Sequence, residues 1–270
     1  MKKISIDLES IDAALALAEL SADHKDGSSV KNNASSDWDL GAGWHGTLEL
    51  ARHGWPAGLA QVSELSGEVS ASSGAAFGRV LEYDVAGDWI DVGRYVEGVP
   101  DCAVAVRRRP VVSRVVKIVA NITCSGKIPA DWVLRRGAAI IELVDLLENS
   151  GVRCELWACV ASTRKFHASY FNIKLKAADD GLDRDRLAFW LCHAAAGRRI
   201  GFALREGLPA EYRKAIGYSR SDGAYGSPTD AIMPCDILLG VVKHNDQAWV
   251  CAESVRGWVL SRASEFVKLD

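Results

Sequence analysis

The chain has 270 residues, 49% of them hydrophobic and 25% charged, enough for one large domain or a main domain with an appendage. Its formal net charge of −3 excludes a global field that would drive it onto nucleic acid or an anionic membrane. No apolar stretch reaches the ~20 residues needed to cross a bilayer, and the basic start Met1-Lys2-Lys3 runs into Asp7, Glu9 and Asp12, so neither a membrane span nor a signal peptide is expected.

A cytoplasmic, reducing location is the matching expectation. The seven scattered cysteines then read as small buried hydrophobes rather than disulfides. Residues 7–20 carry Leu8, Ile11, Leu15 and Ala18 at helical spacing, and 21–36 are polar and small. These two stretches predict an N-terminal helix on a flexible linker, a tethered element through which the chain could form a homo-oligomer. Gly43-Trp44 and Gly54-Trp55 bracket a short helix over 47–51, and Pro56 suits the first turn of a helix running to Leu65. Trp38, Trp44 and Trp55 form either a separate mini-core or a partner surface. Residues 79–96 alternate around Gly87-Asp88, which predicts a β-hairpin.

The strongest signal begins after Arg107-Arg108-Arg109-Pro110. Val115 to Ile122 is a nearly unbroken β-branched run, the mark of a central strand covered on both faces. A tight polar loop, Thr123 to Lys127, leads to Pro129 and a helix ending near Asn149. Ser150-Gly151 stops that helix, and Val152 to Val160 forms the next strand. Strand, crossover helix and strand in this order predict a parallel pair. After a polar break at 162–165, residues 166–177 alternate as a strand and 183–196 form a helix capped by Asp183. Residues 197–216 are mixed, 217–230 make a glycine-rich loop, 235–242 a strand and 245–266 a closing helix. The expected fold class is therefore α/β: an open, mostly parallel sheet with helices on both faces, Rossmann-like in build, plus an N-terminal α+β extension. The expected division is 1–36 helix and linker, 37–110 α+β subdomain, and 111–270 α/β domain.

Residues 116–125 (Val-Lys-Ile-Val-Ala-Asn-Ile-Thr-Cys-Ser), the following helix, and 147–157 (Leu-Glu-Asn-Ser-Gly-Val-Arg-Cys-Glu-Leu-Trp) resemble the opening of a von Willebrand factor A (VWA) domain. The likeness covers roughly residues 111–266. It implies a D-x-S-x-S loop whose carboxylate and hydroxyls hold Mg²⁺ for an acidic partner group. Here Asn121, Thr123 and Ser125 stand at those positions. Asn121 supplies a carbonyl without charge, so no metal and no cofactor is expected. The stretch from Trp44 to Trp55 also resembles small uncharacterised proteins encoded by bacterial viruses.

No nucleophile elbow, C-x-x-C or H-x-x-x-H pattern occurs, and no phosphate-loop pattern follows the central strand. Three readings follow. The first is a non-enzymatic macromolecule-binding protein, a VWA-like adaptor that meets a protein partner at the sheet's C-terminal edge through Asn121, Thr123, Ser125, Lys127, Asp222 and Asp230. The second is a single-stranded nucleic-acid-binding protein of viral transcription or replication. It would use a basic–aromatic surface of Arg107, Arg108, Arg109, Arg164, Lys165, Phe166, Tyr170, Lys174, Lys176, Arg220 and Tyr225. The third is a metal-dependent enzyme built on Asn121, Ser125 and Asp230.

Overall fold

The computed structural model describes residues 2–20, 39–65, 77–110, 114–218 and 226–267, with the side chains of 63–65, 77–80 and 107–110 left aside. The elements in chain order are β1 (Lys2–Leu8), α1 (Ile11–Glu19), α2 (Gly43–His53), α3 (Pro56–Leu65), β2 (Phe77–Asp84), β3 (Trp89–Ile90), α4 (Val92–Val96), β4 (Ala103–Pro110), β5 (Val115–Asn121), α5 (Ala130–Asn149), β6 (Arg153–Arg164) and β7 (His167–Lys176). There follow α6 (Arg184–Leu187), two π-helical turns (Ala188–Cys192 and Ala196–Ile200), α7 (Gly201–Glu206), α8 (Ala210–Ala215), β8 (Ser227–Pro228), β9 (Ile237–Leu239), a 3₁₀ turn (Gln247–Trp249) and α9 (Ala252–Ala263).

The main sheet has the order β1-β7-β6-β5-β9, with β8 added to β6. β5 runs parallel to β6 and β9, and β1 parallel to β7, while β6 and β7 form an antiparallel hairpin. The sheet is thus mostly parallel and flanked by helices, and the β5–α5–β6 unit holds Val115 against Arg153 through Asn121 against Cys159. Among the described residues no helix is long and apolar enough to cross a membrane.

Strand periodicity sorts the core. Val116, Ile118 and Ala120 of β5, Cys154, Leu156 and Ala158 of β6, and Phe171 and Ile173 of β7 face one side. There they meet the buried residues of α1, α2, α3, α5, the π turns, α7 and α9. The opposite face holds a smaller cluster of Val119, Trp157, Cys159, Ala161, Ala168, Tyr170 and Ala231, with no helical member. Among the described residues, helices therefore pack on one face of the main sheet, where both faces were expected to carry them. The second face is covered instead by residues 231–235 and by long polar side chains. The Lys117 and Lys174 ammonium groups sit 5.0 and 4.8 Å from the centre of the Trp157 ring. Asn172 donates to Ser5 Oγ (3.1 Å) and Asp7 Oδ1 (2.7 Å).

Three further expectations change. The helix expected over residues 7–20 starts later, because Lys2–Leu8 form a full strand, Lys2 against His167 through Leu8 against Ile173. Ile4, Ile6 and Leu8 lie against the core at a period of two. The helix begins only at Ile11, where Ser10 Oγ accepts from Ala13 N (3.1 Å) as the cap. Its apolar stripe, Ile11, Ala14, Leu15 and Ala18, is buried in the main core, so it is not a tethered arm open to a second copy. Residues 79–96 do not fold as one hairpin: β2 and β3 both pair with β4, which lies between them, and 92–96 form α4. The expected turn packs on β4 instead, with Asp88 N donating to Val104 O (2.9 Å) and Asp88 Oδ2 accepting from Val106 N (2.8 Å). Trp44 and Trp55 join the main core together with Leu48, Ala51 and Val62, so that core crosses the expected boundaries at 36 and 110. Trp38 and the linker lie outside the described residues. All seven cysteines are free.

Two packing details yield predictions. A Cβ on Gly137 of α5 would lie 2.4 Å from Cys192 Sγ and 2.5 Å from the Leu191 carbonyl, so only glycine allows this helix to approach the first π turn. Gly137→Ala is expected to cost about 2–3 kcal/mol, read from the urea midpoint. Glu142 is half-buried on α5 and its Oε1 is buried without a hydrogen-bond partner. Burial raises its carboxyl to about 7 from 4.5; Arg256 opposes the shift and Asp145 adds to it. A raised folded-state pKa means the folded protein binds the proton more tightly. The resulting stability is complete below about pH 4.5 and is lost as pH rises to about 7. Glu142→Gln should flatten that slope and raise stability at pH 8 by about 1 kcal/mol, solvent screening holding the gain below the full shift. Thermal melts of both proteins across this pH range check it.

Candidate functional site

The C-terminal ends of β5 and β9 meet the N-terminus of α5, the place where open α/β sheets bind ligands. The loop after β5 is fixed by its own polar side chains. Asn121 is fully buried: its Nδ2 donates to Thr229 O (2.6 Å) and its Oδ1 accepts from Thr123 N (3.0 Å). The Thr123 hydroxyl accepts from Ala161 N (2.8 Å), which ties the loop to β6. Ser125 Oγ accepts from Lys127 N (3.3 Å), a local turn that leaves Ser125 half-exposed and Lys127 exposed.

Two arginines support this loop from below. Arg136 of α5 is buried, and its guanidinium donates to Asn121 O (2.7 Å), Leu239 O (3.0 Å) and Gly240 O (2.8 Å). One side chain thus gathers the ends of β5 and β9. Burial lowers its pKa to about 10, so it remains charged at neutral pH. Arg198, in the second π turn, donates to Ser125 O (3.3 Å) and Ile128 O (3.0 Å).

Above this floor lies a pocket of about 410 Å³, lined by Ser125, Ile128, Pro228, Thr229, Asp230, Val241, Val242, Lys243 and His244. A neighbouring cavity of about 500 Å³ runs from Arg136 and Gly240 to Asp246, Trp249 and Trp258. Asp230 Oδ1 accepts from Val241 N (2.8 Å), joining the loop before β9 to the loop after it. A Cβ on Gly240 would lie 2.6 Å from that same oxygen. Gly240→Ala is expected to displace the carboxylate and cost about 1 kcal/mol, with faster amide exchange at Val241 as the readout.

The sequence-predicted residues divide accordingly. Ser125 and Asp230 share the pocket, with Lys127 exposed beside it. Asn121 and Thr123 are corrected to floor residues, because both are buried and hydrogen-bonded inward. Asp222, Arg220 and Tyr225 lie outside the described residues. Lys243, His244 and Arg136 belong to the site although no sequence pattern singled them out. Among the described residues no group of three or more His, Cys, Asp or Glu side chains gathers as a metal site would.

The basic–aromatic set is dispersed. Tyr170 is buried on the sheet's second face. Lys176 is buried in an ion pair with Glu148 (2.6 Å) and donates to the Cys154 and Ala177 carbonyls (3.2 and 3.0 Å). Lys174 is ion-paired with Glu9, and Arg164 donates to Gly217 O (2.7 Å). Those four are corrected from nucleic-acid contacts to structural residues. Lys165 and Phe166 stay exposed at the tip of the β6–β7 hairpin, and Arg107, Arg108 and Arg109 lie on β4 of the small sheet.

Comparison with curated proteins and with solved structures found no match. A family model described as a domain of unknown function (DUF7192) matches residues 2–259, and the chain belongs to that family.

Proposed function

We propose that this protein is a non-enzymatic macromolecule-binding module, a VWA-like adaptor that receives a polar group of its partner in the pocket at the C-terminal edge of the main sheet. One observation carries the reading: three loops converge on a preformed pocket with Ser125, Asp230, Lys243 and His244 around it, above a floor held by Asn121 and Arg136. A hydroxyl, a carboxylate, an ammonium and an imidazole together suit a partner surface of mixed charge. A site fixed from below by hydrogen bonds loses little entropy on binding.

The test begins with whatever co-purifies with the full chain, identified by mass spectrometry and by nucleic-acid staining. The identified partner is then titrated against Ser125→Trp, which fills the pocket mouth, and Asp230→Lys. Each variant should weaken capture at least about tenfold. Unchanged capture by both would remove the edge site. Low-salt binding of a labelled oligonucleotide, lost on raising salt, would replace this reading with the nucleic-acid one.

A further inference from the structure

The cavity of about 500 Å³ runs along β9, the strand at one end of the main sheet, and against the 3₁₀ turn and α9. It adjoins the edge pocket, with Val241 common to both, but its walls carry different chemistry. Arg136 lines it and is only 6% exposed. The three carbonyl bonds of this guanidinium leave at least two of its five N–H groups over. Among the described residues no carboxylate forms an ion pair with it. A buried cation that no acid neutralises is costly, and here the cavity gives a ligand access to it.

Asp246 lines the same cavity. Its Oδ2 accepts from Lys243 N (2.7 Å), while Oδ1 has no partner among the described residues. Asp246 is near enough to favour the charged form of Arg136 without pairing with it. One cavity thus holds a donor set and an acceptor, each with capacity to spare. Trp249 and Trp258 supply the apolar wall, with ring centres 5.3 Å apart and planes at 59°. Trp249 is buried and Trp258 half-buried, so the pair forms a corner against which a flat ring can lie.

We propose that this cavity binds the base of a guanine mononucleotide, flat against Trp258, with O6 accepting from Arg136 and the N1–H and 2-amino groups donating to Asp246 Oδ1. Guanine sets a carbonyl acceptor beside two donors, the order that an arginine next to an aspartate matches. Adenine reverses that order. Its 6-amino group would meet the guanidinium and its N1 lone pair the carboxylate, so two buried charges would be left unsatisfied. The volume suits a base with its ribose. A single nucleotide fits better than a strand, because the chain has a net charge of −3 and its basic and aromatic residues form no continuous track.

Calorimetric titration of the full chain with GMP should give one site with a dissociation constant of about 10–100 µM. AMP should bind at least about tenfold more weakly, and IMP, which lacks the 2-amino group, should lie between them. Both comparisons are read on the wild-type chain and need no variant to fold. Trp258→Ala should weaken GMP binding about tenfold through lost stacking. Asp246→Asn keeps an acceptor for Lys243 N but loses the charge, and should weaken GMP at least about tenfold while affecting IMP less. A purely structural role for Asp246 would weaken both ligands equally. No binding of GMP up to about 1 mM, AMP as tight as GMP, or equal losses of GMP and IMP in Asp246→Asn would each overturn the assignment. So would a short oligonucleotide with one guanine that binds more than about tenfold tighter than GMP.

Discussion

Replacing Arg136 with methionine is expected to lower the unfolding free energy by about 3–5 kcal/mol. The guanidinium satisfies three carbonyls, Asn121 O, Leu239 O and Gly240 O, at the ends of two strands. Methionine fills much of the same volume but donates nothing. The carbonyls of β5 and β9 would then lie against an apolar side chain, each at a desolvation cost of about 1–3 kcal/mol, with water entry recovering part. Arg136→Lys should regain less than half, because an ammonium is a compact point charge and cannot span the fork that reaches both strands. The neighbouring Arg135 is the control. It donates to Trp249 O (3.2 Å) and Val250 O (2.7 Å) from a more exposed face of the same helix, and Arg135→Met should cost about 1 kcal/mol. Urea denaturation with linear extrapolation separates the two. A loss below about 1 kcal/mol for Arg136→Met would show that the ends of β5 and β9 do not depend on this side chain.

The β5–α5–β6 unit was legible because its signals are local. The β-branched run of Val115 to Ala120, the Pro129 entry and the Ser150-Gly151 stop each lie within the segment they define. β7 was legible from alternation alone. β1 was not, because its three apolar residues at a period of two merge into the helical stripe that follows. Its partner is β7, more than 150 residues further on, and nothing near residues 2–8 announces that pairing. β2 showed its alternation but not its partner, since the segment that pairs with it follows β3 and α4. The run in β5 was rightly read as covered on both faces. It did not reveal that Trp157 with two lysines and residues 231–235 do the covering where a helix was expected.

At the site, the C-terminal edge rule found Ser125 and Asp230. It could not tell that the amide of Asn121 and the hydroxyl of Thr123 would bond to backbone groups, because those partners, Thr229 O and Ala161 N, come from other segments. Arg136 appears in the sequence only as an interruption of a helix's apolar face. A charged residue at such a position, with no carboxylate one turn away, is the signal to look for strand-end carbonyls above it. Arg198 carries the same lesson, buried in a π turn and turned toward the loop carbonyls.

Asp39→Ala should prove as damaging as loss of Arg136, at about 3–5 kcal/mol, and should reach the candidate site from a distance. Asp39 Oδ2 accepts from Arg199 Nε (2.9 Å) and Nη2 (2.7 Å), and both residues are buried. The same carboxylate accepts from Gly41 N (3.1 Å) and Gly43 N (3.2 Å), which holds the entry to α2. Alanine removes these four bonds and takes a carboxylate away from a buried guanidinium. Asp39→Asn keeps an acceptor for the turn amides but not the charge, so it should fall between alanine and wild type. Arg199 lies in the second π turn, and Gly197 of that turn presses on the chain just after β5: a Cβ there would lie 2.2 Å from Ile122 O. Loosening the turn should therefore loosen the pocket floor, with faster amide exchange at Thr123 although Asp39 touches no pocket residue. The double variant Asp39→Ala/Arg199→Met removes both charges and should lose less than the two single losses combined, giving a coupling energy of about 2–3 kcal/mol. Additive losses would mean that the pair acts as two separate sets of hydrogen bonds. Unchanged exchange at Thr123 would mean that the π turn does not support the floor.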